Sequence, residues 1–287
     1  MIDILVLNYN DATTTTSFVH AVRDYSCVRK ILVVDNHSTD DSFGKLKSLE
    51  NDKIVVVDSK QNGGYGSGNN FGIRYLKENY QSDFILLSNP DVFVEENVLV
   101  KLESFLRKNS DYAIAAPFML NANGKKENHT AFRMPSTLEY IMSLDFFIKK
   151  FFLSFDCGFK ALEMNKNVVD VDALTGSLFL LNADQFIKFG LFDENVFLYC
   201  EEVVLGKKLK QANLKLALLP KLFFIHNHSV SISKTFRSEI KKHKILLKSK
   251  KYVLRKYFRA NTLDMILAHF LGFISLVELR LLIFLKG

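Results

Sequence analysis

Short apolar runs punctuate the first third of the chain. Residues 4–7, 31–34, 54–57 and 84–87 are each consecutive apolar positions, rich in β-branched types and bounded by Asn, Asp or Gly. A run without polar alternation suits a strand covered on both faces. Between the runs, residues 13–25, 40–50 and 68–80 read as helices. This alternation predicts a Rossmann-like α/β fold, a mostly parallel sheet with flanking helices and right-handed crossovers. After Pro117 the rhythm changes. Residues 121–170 read as irregular, with a Phe-rich stretch over 146–159. VDALTGSLFLLN then reads as strand structure, ADQFIKFG as a short helix ended by Gly190, EEVVLGKKLKQAN as a helix and LKLALLP as a strand.

The chain has 287 residues, enough for one large domain, or one domain with an appended segment. Apolar residues make up 48 %, with 26 Phe, so a sizeable core is expected and disorder is not. Cys27, Cys157 and Cys200 lie far apart and form no CxxC pair, which argues against a zinc site or disulfide framework and fits a reduced, cytosolic compartment. The N-terminus, MIDILVLNYN, has no basic region ahead of its apolar stretch and reads as a first strand instead of a signal peptide.

The chemistry gathers at the strand ends. LNYN, VDNHSTDD, QNGGYGSGNN and SNPD follow the four runs. In an open parallel sheet, ligands bind beyond the carboxyl ends of the strands. Asn, Asp and Gly also make ordinary turns, but four such loops converging on one edge favour a site. QNGGYGSGNN lacks the GxGxxG spacing and follows the third run, and no GK[ST] completes a Walker loop. Its glycines permit positive φ and close backbone approach, either to a diphosphate or within a tight turn. Asp91, with Asn89 two positions earlier, offers oxygen ligands at a strand end, where magnesium takes one or two carboxylates plus substrate phosphates; Asn-Pro-Asp is equally a good turn. Glu201 and Glu202 open a helix. Acids there complement the dipole, or Glu202 serves as a general base for an acceptor hydroxyl. His226 and His228 follow a strand, as structural residues or as imidazole ligands beside Asp91.

The order of LNYN, VVDNHSTDDS, NGGYGSGNNFGI, LLSNPDV, TGSLFLL, GLFDENVFLYCEE and HNHSVS resembles family 2 glycosyltransferases, in particular the bacterial rhamnosyltransferase-like and galactofuranosyltransferase-like branch. The resemblance covers residues 1–232 and implies a GT-A type fold and inverting transfer from a nucleoside-diphosphate sugar. It implies that Asn8, Tyr9, Asp35 and Asn36 line the base and ribose, and that Asn62, Gly63 and Asn70 approach the nucleotide or diphosphate. It implies a divalent metal, Mg or Mn, at Asp91, the last acid of the family's DxD motif, with His226 in the metal shell. Glu202 matches the family's catalytic base. Two departures stand out: Asn89 replaces the first acid of DxD, and Glu202 is one methylene longer than the usual Asp. The implied donor is dTDP-rhamnose first and a UDP-hexose or UDP-galactofuranose next; the acceptor is a glycan or lipid-linked glycan in cell-surface polysaccharide synthesis. A sugar-nucleotide nucleotidyltransferase is the enzyme alternative, but it lacks a basic Gly-rich loop near the N-terminus and leaves GLFDENVFLYCEE unexplained. A non-catalytic sugar-nucleotide-binding scaffold is opposed by Asp91, Glu202 and His226.

Charge divides the chain. Residues 234–259 carry eleven Lys or Arg and one acid, Glu239, so that segment is +10 and the remainder −3. An apolar stretch follows, interrupted by Asp264, His269, Glu278 and Arg280. Its length suits a membrane span, but the interruptions argue for lying in the interface of an anionic membrane. Packing onto the enzyme or in a homo-oligomer is the alternative; no recognition fold supports nucleic-acid binding. The expectation is a catalytic domain over 1–232 and a helical segment over 233–287, peripheral on the cytoplasmic face of the cell membrane.

Overall fold

The computed structural model describes residues 1–145, 147–148, 165–227 and 238–285. Cys157, His228, Lys234, Arg237 and most of the Phe-rich stretch lie outside the described residues. The four apolar runs form β1 (Ile2–Asn8), β2 (Val28–Asp35), β3 (Ile54–Asp58) and β4 (Phe84–Ser88), all parallel. Between them run α1 (Ala12–Val22), α2 (Ser42–Lys47) and α3 (Tyr65–Tyr80). Consecutive strand residues point to opposite faces. Ile4 and Val6 pack under α1 and, further along, α4 (Glu96–Lys108), whereas Leu5 packs under α3. Both faces are therefore covered, which is why the runs contain no polar alternation.

The remaining strands are β5 (Val92–Phe93), β6 (Tyr112–Asn121), β7 (Ala131–Phe132), β8 (Val169–Val171), β9 (Ala173–Leu174), β10 (Leu178–Asn182) and β11 (Lys215–His226). The main sheet has the order β3-β2-β1-β4-β10-β6-β11-β5, with β8 on β11; β7 and β9 pair separately. The parallel expectation holds for the half formed by β1 to β4. β10 then inserts antiparallel between β4 and β6, and β11 returns parallel to β6. Pro117 sits inside β6 and Pro220 inside β11, where their register shifts between Leu219 and Phe223, so each missing N–H falls at an irregular part of the ladder.

The region expected to be irregular contains α5 (Thr137–Met142), opened by a Ser136–Glu139 capping box. A short helix, α6 (Ala183–Gln185), continues as a π turn to Gly190. α7 (Glu201–Gln211) precedes β11. The C-terminal segment forms α8 (Glu239–Tyr257) and α9 (Thr262–Phe284). A third buried cluster joins these helices to the preceding part of the chain: Leu247, Val253, Leu254, Ala268 and Leu271 pack with Tyr140, Ile141, Val196, Val203 and Val204. Packing thus crosses the expected 232/233 boundary, because α8 and α9 cover α5 and α7.

Candidate active site

Beyond β1 and β2, four of the predicted nucleotide residues, Asn8, Asp35, Asn36 and Asn62, form one hydrogen-bonded platform. Asn8 donates to Asp35 Oδ1 at 2.7 Å and accepts from the Thr15 hydroxyl at 2.8 Å. Asp35 also accepts from the Ser38 amide at 2.8 Å and from its hydroxyl at 2.6 Å. Asn36 donates to Asn62 Oδ1 at 3.1 Å and to the Gly64 carbonyl at 3.2 Å, drawing the β3–α3 loop onto the end of β2. Asn8, Asp35 and Asn36 are buried, and Tyr9 beside them is half-buried.

The glycine loop is shorter than the sequence suggests, because α3 already starts at Tyr65. Gly64 has φ +88°, and a Cβ there would lie 2.0 Å from the Phe197 carbonyl oxygen. A Cβ on Gly63 would lie 2.4 Å from Ser67 Oγ. These glycines admit close approach of protein to protein at the head of α3. Asn70, predicted to approach the nucleotide, is fully buried elsewhere: it donates to the Phe192 carbonyl and to Glu194, both at 2.9 Å, and accepts from the Phe192 amide at 2.9 Å. It clamps the loop that leads to α7.

The second group of residues surrounds a cavity of about 520 Å³, whose lining includes Asn89, His226, Tyr65, Gly176, Glu201 and Glu202. Asn89 is placed by its amide, which donates to the Ser177 carbonyl at 2.8 Å. His226 pairs with Val92 on the β11–β5 ladder, so its Nε2 lies 3.1 Å from Asp91 Oδ1. Both side chains are more than nine-tenths buried. A carboxylate oxygen beside an imidazole nitrogen would suit Mn better than Mg, whose preferred ligands are all oxygens, and diphosphate oxygens would have to supply the remaining ligands. Among the described residues no cluster of three His, Cys, Asp or Glu occurs, so Asp91 and His226 fit such an ion only as partial ligands.

The opposite wall is α7. Tyr199 (φ 70°) and Cys200 (φ 72°) are both left-handed, although neither is glycine. Such backbone costs about 1–3 kcal/mol per residue and persists only when its surroundings over-determine it. Here it turns the chain so that Glu201 and Glu202 open α7. Burial pushes the Glu201 carboxyl up to about 8, and the charge of Glu202 adds to the effect. Glu201 is 6 % exposed and its Oε1 has no hydrogen-bond partner among the described residues. Glu202 is less enclosed; burial raises its pKa too, and the Gly176 amide donates to its Oε1 at 3.4 Å. Tyr65 donates to the Gly176 carbonyl, which fixes that peptide between α3 and α7.

Sequence reasoning did not single out Asp193, whose carboxylate accepts from the Tyr252 hydroxyl at 2.8 Å, Lys256 Nζ at 2.7 Å and the Tyr257 hydroxyl at 2.7 Å. α8 thereby holds the loop ahead of α7. The Ser249 hydroxyl adds a bond to the Leu198 carbonyl at 2.7 Å. Leu246 and Lys250 of α8 also line the cavity. The adjoining block GLFDENVFLYCEE was legible as a motif, but its attachment to residues some sixty positions later has no periodic signal.

A profile described as glycosyl transferase family 2 matches residues 3–166. The low-salt glycan biosynthesis hexosyltransferase Agl10 of Haloferax volcanii is 25 % identical over 236 residues, covering 80 % of this chain and 68 % of its own. The rhamnosyltransferase WbbL of Escherichia coli is 25 % identical over 246 residues, covering 77 % and 87 %. Among solved structures, GalNAc-T7 with UDP, GalNAc and Mn2+ superposes with a TM-score of 0.62 at 16 % identity, over 91 % of this chain and 50 % of that one. The mannosyltransferase PcManGT of Pyrobaculum calidifontis, with GDP-Man and Mn2+, gives 0.58 at 11 % identity, over 95 % and 69 %. These two structures share the GT-A sheet and its flanking helices.

Proposed function

The chain belongs to glycosyl transferase family 2, and from that premise we propose that it transfers a sugar from a nucleoside diphosphate to a hydroxyl of a glycan or lipid-linked acceptor, with inversion. The observation that carries the proposal is the single cavity joining Asn89 and His226 at one wall to Glu202 at the other. Inversion in one step needs the leaving diphosphate and the incoming hydroxyl on opposite faces of the anomeric carbon. The placing of strand ends across the cavity from the head of α7 supports this reading.

In this reading the platform of Asn8, Asp35, Asn36 and Asn62 holds the two loops against which the nucleoside binds. Asp91 and His226 are the residues that would hold a divalent ion, which when bound neutralises charge on the diphosphate. Glu202 takes the acceptor proton; its raised pKa makes it a stronger base than an exposed carboxylate. Glu201, enclosed beside it, holds its own proton near neutral pH and so limits repulsion within the pair. Among donors, dTDP-rhamnose is favoured and a UDP-hexose or UDP-galactofuranose is next, supported by relatives named as a rhamnosyltransferase and a hexosyltransferase.

The test is release of nucleoside diphosphate from a donor panel, with and without extracted membrane lipids as acceptor. The expected result is release that depends on both one donor and the acceptor. Pyrophosphate formation from a sugar phosphate would replace the proposal with a nucleotidyltransferase. Donor binding with no turnover under any acceptor would leave a scaffold.

A further inference from the structure

α8 and α9 each turn one face inward and another outward. On α8, Leu247, Ser249, Lys250, Val253 and Leu254 are buried. Lys241, Lys244, Lys248, Lys251 and Arg255 recur on the opposite side, within an arc of about 80° at 100° per residue. All but the half-buried Lys251 are exposed. On α9, Ala268, Leu271, Gly272 and Ser275 face the protein. Leu263, Ile266, Phe270, Phe273, Val277, Leu281 and Phe284 share an arc of similar width on the other side, and all are exposed, Phe273 by 67 % and Phe284 by 82 %. The helices run antiparallel: His243 bonds Ser275 at 2.8 Å, and Leu247 meets Gly272. A cationic stripe thus lies on the helix next to an apolar ridge that, at 1.5 Å per residue over 23 residues, is about 34 Å long.

We propose that α8 and α9 form one docking surface for an anionic lipid bilayer, with the lysine stripe on the headgroups and the apolar ridge in the acyl boundary. α9 is long and apolar enough to cross a membrane, but crossing is opposed by its packing. Its inner face closes the third buried cluster against α8 and α5, and a spanning pose would strip Leu247, Leu254 and Ile141 of that cover. Glu278 and Arg280 also fall within the helix, at positions costly in hydrocarbon. A second copy of the chain is the other occupant an apolar ridge admits. A two-fold contact through this face, however, brings one lysine stripe toward its own equivalent, while anionic headgroups complement it.

The same α8 supplies Leu246 and Lys250 to the cavity beside Glu202. Docking therefore sets the cavity within about one helix diameter, 10–12 Å, of the lipid surface. Given the glycosyltransferase reading, that geometry suits an acceptor borne on a lipid.

Sedimentation of the full-length chain with phosphatidylcholine vesicles, with and without phosphatidylglycerol, tests the surface without any turnover, so failure of the transferase reading leaves it unmoved. Wild type is expected to bind strongly only when phosphatidylglycerol is present. A combined Lys241→Gln, Lys244→Gln, Lys248→Gln, Lys251→Gln variant is expected to bind roughly tenfold or more weakly. A combined Phe270→Ser, Phe273→Ser, Phe284→Ser variant is expected to lose the binding that survives high salt. Circular dichroism melting checks that both variants are folded. Binding that ignores phosphatidylglycerol, or is unchanged in the folded Phe variant, overturns the proposal. So does resistance of the cellular protein to alkaline carbonate extraction, which marks a spanning helix. A wild-type dimer that the Phe variant converts to monomer, without vesicle binding by either, assigns the ridge to a second copy instead.

Discussion

Two adjacent carboxyls with unequal surroundings hold the most testable chemistry. Glu202→Gln keeps the shape but cannot accept a proton, so turnover should fall on the order of 10²–10⁴-fold, with donor affinity measured by calorimetry unchanged. Burial raises the Glu202 pKa, so the acid limb of its kcat/KM profile should lie above the ordinary carboxylate range. Burial pushes the folded-state Glu201 carboxyl up to about 8, against about 4.3 for a free glutamate side chain. Between those values the folded state binds more protons than the unfolded state, so stability falls as pH rises. Glu201→Gln removes that slope: its melting temperature should exceed wild type on the alkaline side of pH 8, and the two should converge toward about pH 5. Equal melting curves across that window would show that the carboxyl is not held protonated. Asp91→Ala, or excess chelator, should weaken donor binding by the same factor; full affinity in chelator would remove the metal from the site. Asp91, Glu202 and His226 stand out as candidates in the sequence because Asp91 follows one apolar strand, His226 closes another and Glu202 opens a helix. The left-handed backbone at Tyr199 and Cys200 was not, since Gly or Asn is the usual sign of that conformation and neither is present.

At the level of elements, the strands with continuous apolar runs were read correctly because both faces are covered. α4 was overlooked, although Val98, Leu102 and Leu106 recur every fourth residue. β6 is not among the apolar runs the sequence marks, and it carries Pro117, whose strand-breaking tendency is offset by the irregular ladder there. α3 was started late because its first turn is glycine-rich, yet those glycines answer to neighbours: Cβ atoms on Gly66 and Gly72 would come within 2.8 Å of Phe192 and 2.3 Å of Leu5. Gly64→Ala faces both a positive φ and the Phe197 carbonyl, so it should lower thermal stability and activity together, whereas Gly124→Ala, with φ +71° but nothing within 4 Å, should cost only its backbone strain. The loop before α7 depends on Asp193. Burial alone would raise its pKa, but bonds from Lys256, Tyr257 and Asn195 outweigh burial and hold the carboxyl well below the usual range. Asp193→Asn should cost about 2–3 kcal/mol, read as a lower urea midpoint together with faster amide exchange in α8. Exchange confined to other elements would mean that the latch does not hold α8.

For the molecule as a whole, the charge split suggested an appended tail, and composition cannot report that the tail also seals a core. Deleting residues 238–287 would uncover Tyr140, Val196, Val203 and Val204, so such a truncation should be poorly soluble even though the Asn8–Asp35 platform lies far upstream; a soluble truncation with wild-type melting behaviour would count against shared packing. The inserted strand β10 carries a different consequence, for synthesis. β4 finds its second neighbour only in β10, and β6 is flanked by β10 and β11. On the ribosome, at roughly 5–20 residues per second, β1 to β4 can assemble while the open edge of β4 waits several seconds for Leu178–Asn182 to emerge. That edge is entirely buried in the finished protein, and during the wait it is an apolar strand with unsatisfied backbone groups. The nascent chain should therefore depend on holdase chaperones most acutely between the emergence of β4 and that of β10.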